Sequence, residues 1–98
     1  MIIRIVKMTF EHNKVEQFLE VFHSSKHLIR GFQGCSHLEL LNDISSPNIY
    51  FTYSHWANEE SLNNYRNSEL FKTVWGKTKI LFSAKTGAWS VTQKVILE

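Results

Sequence analysis

The chain has a single cysteine, Cys35, so no intramolecular disulfide is possible. That fits a reducing compartment. No Cys–His zinc spacing is present, and Cys35 reads as a small buried hydrophobe rather than a nucleophile. An excess of charge of one sign is also missing: 11 Lys and Arg face 9 Asp and Glu, the formal net charge is +2, and no basic run occurs. Nucleic acid is therefore not an expected partner. No apolar stretch approaches the length of a membrane span. The opening segment Met1–Lys7 is too short and too broken by charge for a signal peptide. A cytoplasmic protein without membrane contact is expected. No repeat, low-complexity tract or linker is visible, so residues 1–98 read as one domain.

Aromatic residues, by contrast, are plentiful. They make up 13% of the 98 residues and include three Trp. A domain this small buries only a moderate core. Side chains this large fill such a core or line a cleft for a flat ligand, and a dimer interface would add buried area.

Periodicity orders the elements. Residues 2–10 are rich in β-branched side chains and predict a strand whose two faces, Ile2/Arg4/Val6/Met8/Phe10 and Ile3/Ile5/Lys7/Thr9, are both largely apolar. Such a strand lies centrally, covered on both sides. Residues 12–29 predict a helix with Val15, Phe18, Leu19, Phe22 and Ile29 as its apolar stripe, Asn13 as N-cap with Glu16 as capping-box partner, and an end at Arg30-Gly31. Strands follow at 35–41 and 49–56, joined by a turn that holds the only proline, Pro47. Asn58 caps a short helix that breaks near Asn67-Ser68, and a further helical segment runs from Glu69 to about Phe82. Within it, Gly76 is a place for close approach to the backbone. A last strand is expected over 88–97. The order β-α-β-β-α-β predicts an α+β, ferredoxin-like fold, with a four-stranded antiparallel sheet and helices on one face. The other face is apolar as well, so a second copy packed sheet against sheet, a homodimer, is expected to cover it.

Several side chains invite chemistry. Arg4 lies between Ile2 and Val6 on an apolar face, so its charge must reach solvent, a carboxylate or a ligand. His55 and His37 are natural proton acceptors, although a strand histidine is more often structural or exposed. His23 and His27 share a helix face but lack a third ligand and read as solvated. Glu59 and Glu60 are better explained as helix N-terminal charges than as general acids.

Three motifs carry a resemblance: Gly31-Phe32-x-Gly34 before the second strand, strand-ending Trp56 with Glu59-Glu60-x-Leu62, and Ser68-x-x-Phe71-Lys72. With them, nearly the whole chain resembles the antibiotic biosynthesis monooxygenase (ABM) domain family. The resemblance implies a dimeric α+β barrel of ferredoxin-like subunits. Members include cofactor-independent oxygenases of polycyclic phenols and quinols, and heme-degrading monooxygenases. The heme degraders carry an Asn on the first strand, a Trp in the second helical region and a ligating His ten residues later. These positions fall on Val6 (or Lys7 with a one-residue slip), Tyr65 and Trp75, and none of the three residues is kept.

The implied chemistry is therefore cofactor-independent oxidation of an aromatic, quinol-like small molecule, with no metal and no flavin. On this reading His55 or Tyr65 takes the proton and Arg4 holds the oxyanion. Val6, His37, Trp56, Phe71 and Trp75 would form the rest of the pocket. Two other readings stay open: a non-enzymatic dimeric module whose Tyr65 and Trp75 pack the core or bind a small ligand, and a heme-binding relative with altered chemistry.

Overall fold

The computed structural model describes residues 1–98. Its strands are β1 (Ile2–Thr9), β2 (Cys35–Asn42), β3 (Ile49–Trp56) and β4 (Gly87–Val91); its helices are α1 (Val15–Arg30), α2 (Glu59–Arg66) and α3 (Glu69–Lys79). The four strands form one antiparallel sheet in the order β2-β3-β1-β4. This is the ferredoxin-like α+β arrangement that the element order predicts.

The sheet has two different faces because side chains alternate along each strand. The even-numbered residues of β1 and β3 meet the helices. Met8 and Phe10 join Phe18, Phe22 and Leu81 in the larger buried cluster. Trp56 joins Cys35 and Leu62 in a smaller one at the other end. Cys35 reaches this face because the β2–β3 register shifts between Cys35 and His37. Ser36 is the extra residue, and such a bulge re-aims its neighbours. The opposite face carries Ile5, Phe51, Tyr53, His55 and Trp89, and no helix covers it. Trp89, Val91 and Leu41 are exposed there.

Two caps act as local chemistry requires. The Asn58 side chain accepts the Ser61 N–H at 2.8 Å and opens α2. Ser68 does the same for the Phe71 N–H at 3.1 Å, so only Asn67 and Ser68 separate the end of α2 from the start of α3. Each cap satisfies an N–H with no partner inside its helix.

Four expectations need correction. Asn13 is not an N-cap: His12–Lys14 form a 3-10 turn, and α1 begins at Val15 with no side-chain cap. Phe10 is fully buried and its backbone is bonded to Asn48, so the chain must turn tightly straight after it. α3 stops at Lys79; Leu81 and Phe82 lie beyond it, with Phe82 bridged to Phe10. β4 ends at Val91, not Leu97. Val91 already pairs with Ile3, and β1 begins at Ile2, so the strand runs out of partners.

Gly76, finally, has nothing within 4 Å of the position a Cβ would take. It permits no close approach and only weakens α3. Gly76→Ala is expected to stabilise the protein by about 0.5–1 kcal/mol, read as a higher urea midpoint at constant slope.

Candidate functional site

Helix α3 packs against α1 and α2, and this leaves a space between it and the sheet. The space is a cavity of about 340 Å³. Its floor is the helix-facing side of the strands: Arg4, Val6 and Met8 from β1, Leu38 from β2, Thr52, Ser54 and Trp56 from β3, and Ala88 from β4. Phe18, Phe22 and Ile29 of α1 and Leu62, Tyr65 and Arg66 of α2 form the walls. Phe71, Val74, Trp75 and Thr78 of α3 form the roof, and Thr86 lies in the loop before β4. Ala88 and Ser90 are exposed even though their side of the sheet is the helix side, so the cavity opens toward β4.

A run of aromatic rings follows one wall. Trp56 stacks on Tyr65 at 4.8 Å and 23°, and Tyr65 meets Phe71 edge-on at 5.2 Å. Phe71 lies nearly parallel to Trp75 at 5.9 Å and 11°. Rings set at these separations and angles present flat apolar surface to a flat guest. Helical spacing on α3 accounts for Phe71 and Trp75, which are four residues apart and share a face. The Trp56 indole N–H donates to the Ser54 hydroxyl at 3.0 Å, which fixes the ring at the floor of the cavity.

Polar groups are few. Burial pushes the Tyr65 phenol well above its ordinary value, and the nearby Cys35 adds to the shift. Tyr65 therefore stays protonated through neutral pH. The linkage has a definite sign. Above the ordinary tyrosine value of 10.0 the unfolded chain loses this proton while the folded chain keeps it, so stability falls as pH rises. We expect the urea midpoint to drop on passing from below to above that pH, and to drop less in Tyr65→Phe. An equal drop in both proteins would refute the shift.

The Arg4 guanidinium donates to the Ser90 hydroxyl at 3.0 Å. Its pKa is lowered by burial and, secondarily, by the charge of Arg66. Thr86 has a buried hydroxyl with no partner. Burial also raises the Cys35 thiol, which suits a packed rather than a reactive side chain.

Of the residues singled out from sequence, Arg4, Val6, Trp56, Tyr65, Phe71 and Trp75 come together on this one cavity. His55 and His37 do not. They lie on the open face of the sheet, with rings 4.8 Å apart, and His37 is paired with Glu39 at 2.6 Å. The reason is alternation: His55 and Trp56 are neighbours in β3, so both cannot face the same cavity. Sequence reasoning missed Arg66, Thr86 and Ser54. Arg66 had a signal, since it follows Leu62 by four residues on α2; the loop residue Thr86 had none.

Comparison with known proteins bears on the fold and the family. A conserved protein of Methanosarcina mazei Go1 superposes with a TM-score of 0.89 at 22% identity, covering 96% of this chain and 94% of its own. An antibiotic biosynthesis monooxygenase superposes at 0.91 with 13% identity, covering 97% and 100%. Rv0793 from Mycobacterium tuberculosis superposes at 0.89 with 9% identity, covering 99% and 98%. At such identities the likeness is one of fold. No curated protein matches the sequence. The family model for antibiotic biosynthesis monooxygenase matches residues 1–75, and with most of its length matched the chain belongs to that family.

Proposed function

We propose that the protein is a small monooxygenase that oxidises an electron-rich aromatic molecule, a quinol or an anthrone, without metal or flavin. The observation that carries this reading is the aromatic-walled cavity with Arg4 at its floor and the protonated Tyr65 on its wall. A phenol bound there loses its proton more readily beside the Arg4 guanidinium. The lining holds no His, Asp, Glu, Lys or Cys. The proton therefore passes to water through the opening near β4, not to a side chain. The phenolate then reacts with oxygen directly. For an anthrone the ring methylene becomes a ketone: one oxygen atom enters the product, the other leaves as water, and the substrate supplies all the electrons. Tyr65 donates to an oxygen of the bound molecule.

Heme fits the lining poorly. Of the groups that ligate its iron, only the Tyr65 phenol and the Met8 thioether are present, and Tyr65 is held protonated. We also propose a homodimer through the open sheet face. Its support is the exposed apolar surface of Trp89, Val91 and Leu41, together with Val95, Ile96 and Leu97 beyond β4. Light scattering that gave a monomer at micromolar concentration would remove it.

Oxygen uptake against a panel of dihydroquinones and anthrones, with no added metal or flavin, tests the activity. We expect protein-dependent uptake above autoxidation, rising with pH as the bound phenol ionises. Loss of one donor to the anion in Arg4→Gln should lower kcat by roughly 10²-fold. No uptake across the panel would leave a binding module instead.

A further inference from the structure

The open face of the sheet carries titratable side chains that the proposed reaction does not use. The strand register sets them in rows. His37 of β2, His55 of β3, Ile3 of β1 and Val91 of β4 form one row; Glu39, Tyr53, Ile5 and Trp89 form the next. The two imidazole rings are 4.8 Å apart, and Tyr53 lies edge-on to both. Glu39 supports one of them, bonded to His37 Nε2 at 2.6 Å. His55 has no such support: its Nε2 is buried and lacks a hydrogen-bond partner. The other charged side chain of this face is Lys7, one row further on, opposite Phe51 and Gly87. β4 contributes no charge, and the Met1 amino group stands one residue before β1, at the histidine end.

Such a face suits a second copy of the chain. Its strands hold one permanent charge of each sign, Lys7 and Glu39, with β3 between them, and Lys7 makes no ion pair within the chain. A two-fold axis sets the patch against its own image, so Lys7 of one copy can meet Glu39 of the other. Histidine is the side chain that gains charge as pH falls from about 8 to about 5. Under a second sheet, a charged His55 would have no acid and no water beside it, and a cationic His37 as its neighbour. We infer that protons control this interface: two copies close over the open face while His37 and His55 are neutral, and part when both rings are charged. The inference rests on the homodimer proposed above and adds its regulation. The sign follows from linkage. Separated subunits bind more protons than the dimer does, so assembly strengthens as pH rises through the histidine range.

Sedimentation velocity over a dilution series, at constant ionic strength, tests it at about pH 8 and about pH 5.5. The dimer dissociation constant should be about tenfold higher or more at the lower pH. The far-UV circular dichroism of the subunits should stay unchanged, and the dimer should re-form when the pH is restored. His55→Gln keeps a polar side chain that cannot take the charge, and should cut the ratio to less than about threefold. His37→Gln should reduce it in part, by removing the second cation. A dimer equally stable at both pH values would overturn the inference and leave the homodimer standing. A monomer at both would overturn the two together. A pH dependence undiminished in the His37→Gln, His55→Gln double variant would also overturn it, as would acid unfolding in place of dissociation.

Discussion

Trp56→Ala is expected to destabilise the protein by about 3–5 kcal/mol, a large part of the roughly 5–15 kcal/mol that holds a domain of this kind together. The side chain is 1% exposed and closes the end of β3 against Ile2 and Cys35. It loses three things on truncation. Its ring leaves the stack with Tyr65 at 4.8 Å and the edge contact with Phe32 at 6.4 Å. Its N–H leaves the Ser54 hydroxyl, a buried group that then lacks its donor. Its volume adds to an existing cavity of about 340 Å³, so the walls have little tendency to collapse inward. The effect is read from urea unfolding as a lower midpoint at unchanged slope. Trp56→Phe keeps a ring on Tyr65 and should recover much of the loss. A cost below about 1.5 kcal/mol for the Ala variant would mean that the aromatic wall is not part of the structural core.

Gly34→Ala should cost about 2–5 kcal/mol, from two separable sources. Gly34 has φ +93°, a conformation that side chains rarely adopt, and no other residue of the chain has positive φ. A Cβ there would also stand 2.4 Å from the Ser61 Cβ and 2.5 Å from its Oγ. Both clashing atoms belong to the first turn of α2, the helix that brings Tyr65 and Arg66 to the cavity. Meanwhile the Gly34 carbonyl accepts the Ala57 N–H at 2.8 Å, so the loop cannot simply move away. A double-mutant cycle separates the sources. In a Ser61→Gly background the overpacking disappears and only the backbone strain remains, so Gly34→Ala should cost about 1–3 kcal/mol less there than in the unaltered protein. Strict additivity would show that the contact with Ser61 carries no energy.

Gly34 also shows what a motif means physically. Gly31-Phe32-x-Gly34 is visible in the sequence, but the reason for its second glycine is a helix 27 residues further along the chain. The cavity follows the same pattern. Phe71 and Trp75 are four apart on one helix, and Arg4 and Val6 are two apart on one strand, so their shared faces are legible locally. That Arg66 and Arg4 line one cavity, with no acid on it, depends on how α2 packs against β3 and α3.

The sequence by itself determined the fold class, the order of elements and the breaks after Arg30 and at Asn67-Ser68. Those follow from local periodicity, from caps such as Asn58 and from turn residues, all of which act over a few neighbours. It also determined the family, through motifs that span most of the chain. The tertiary structure alone decided the face on which each candidate works. Alternation sets His55 opposite Trp56, but only the packing of the helices against the even-numbered side shows which of the two sees the cavity. It decided where β4 stops, because a strand lasts only as long as its neighbour. It also decided the charge of the site, because electrostatic partners are set by distance in space, and Arg4, Arg66 and Thr86 are distant in sequence.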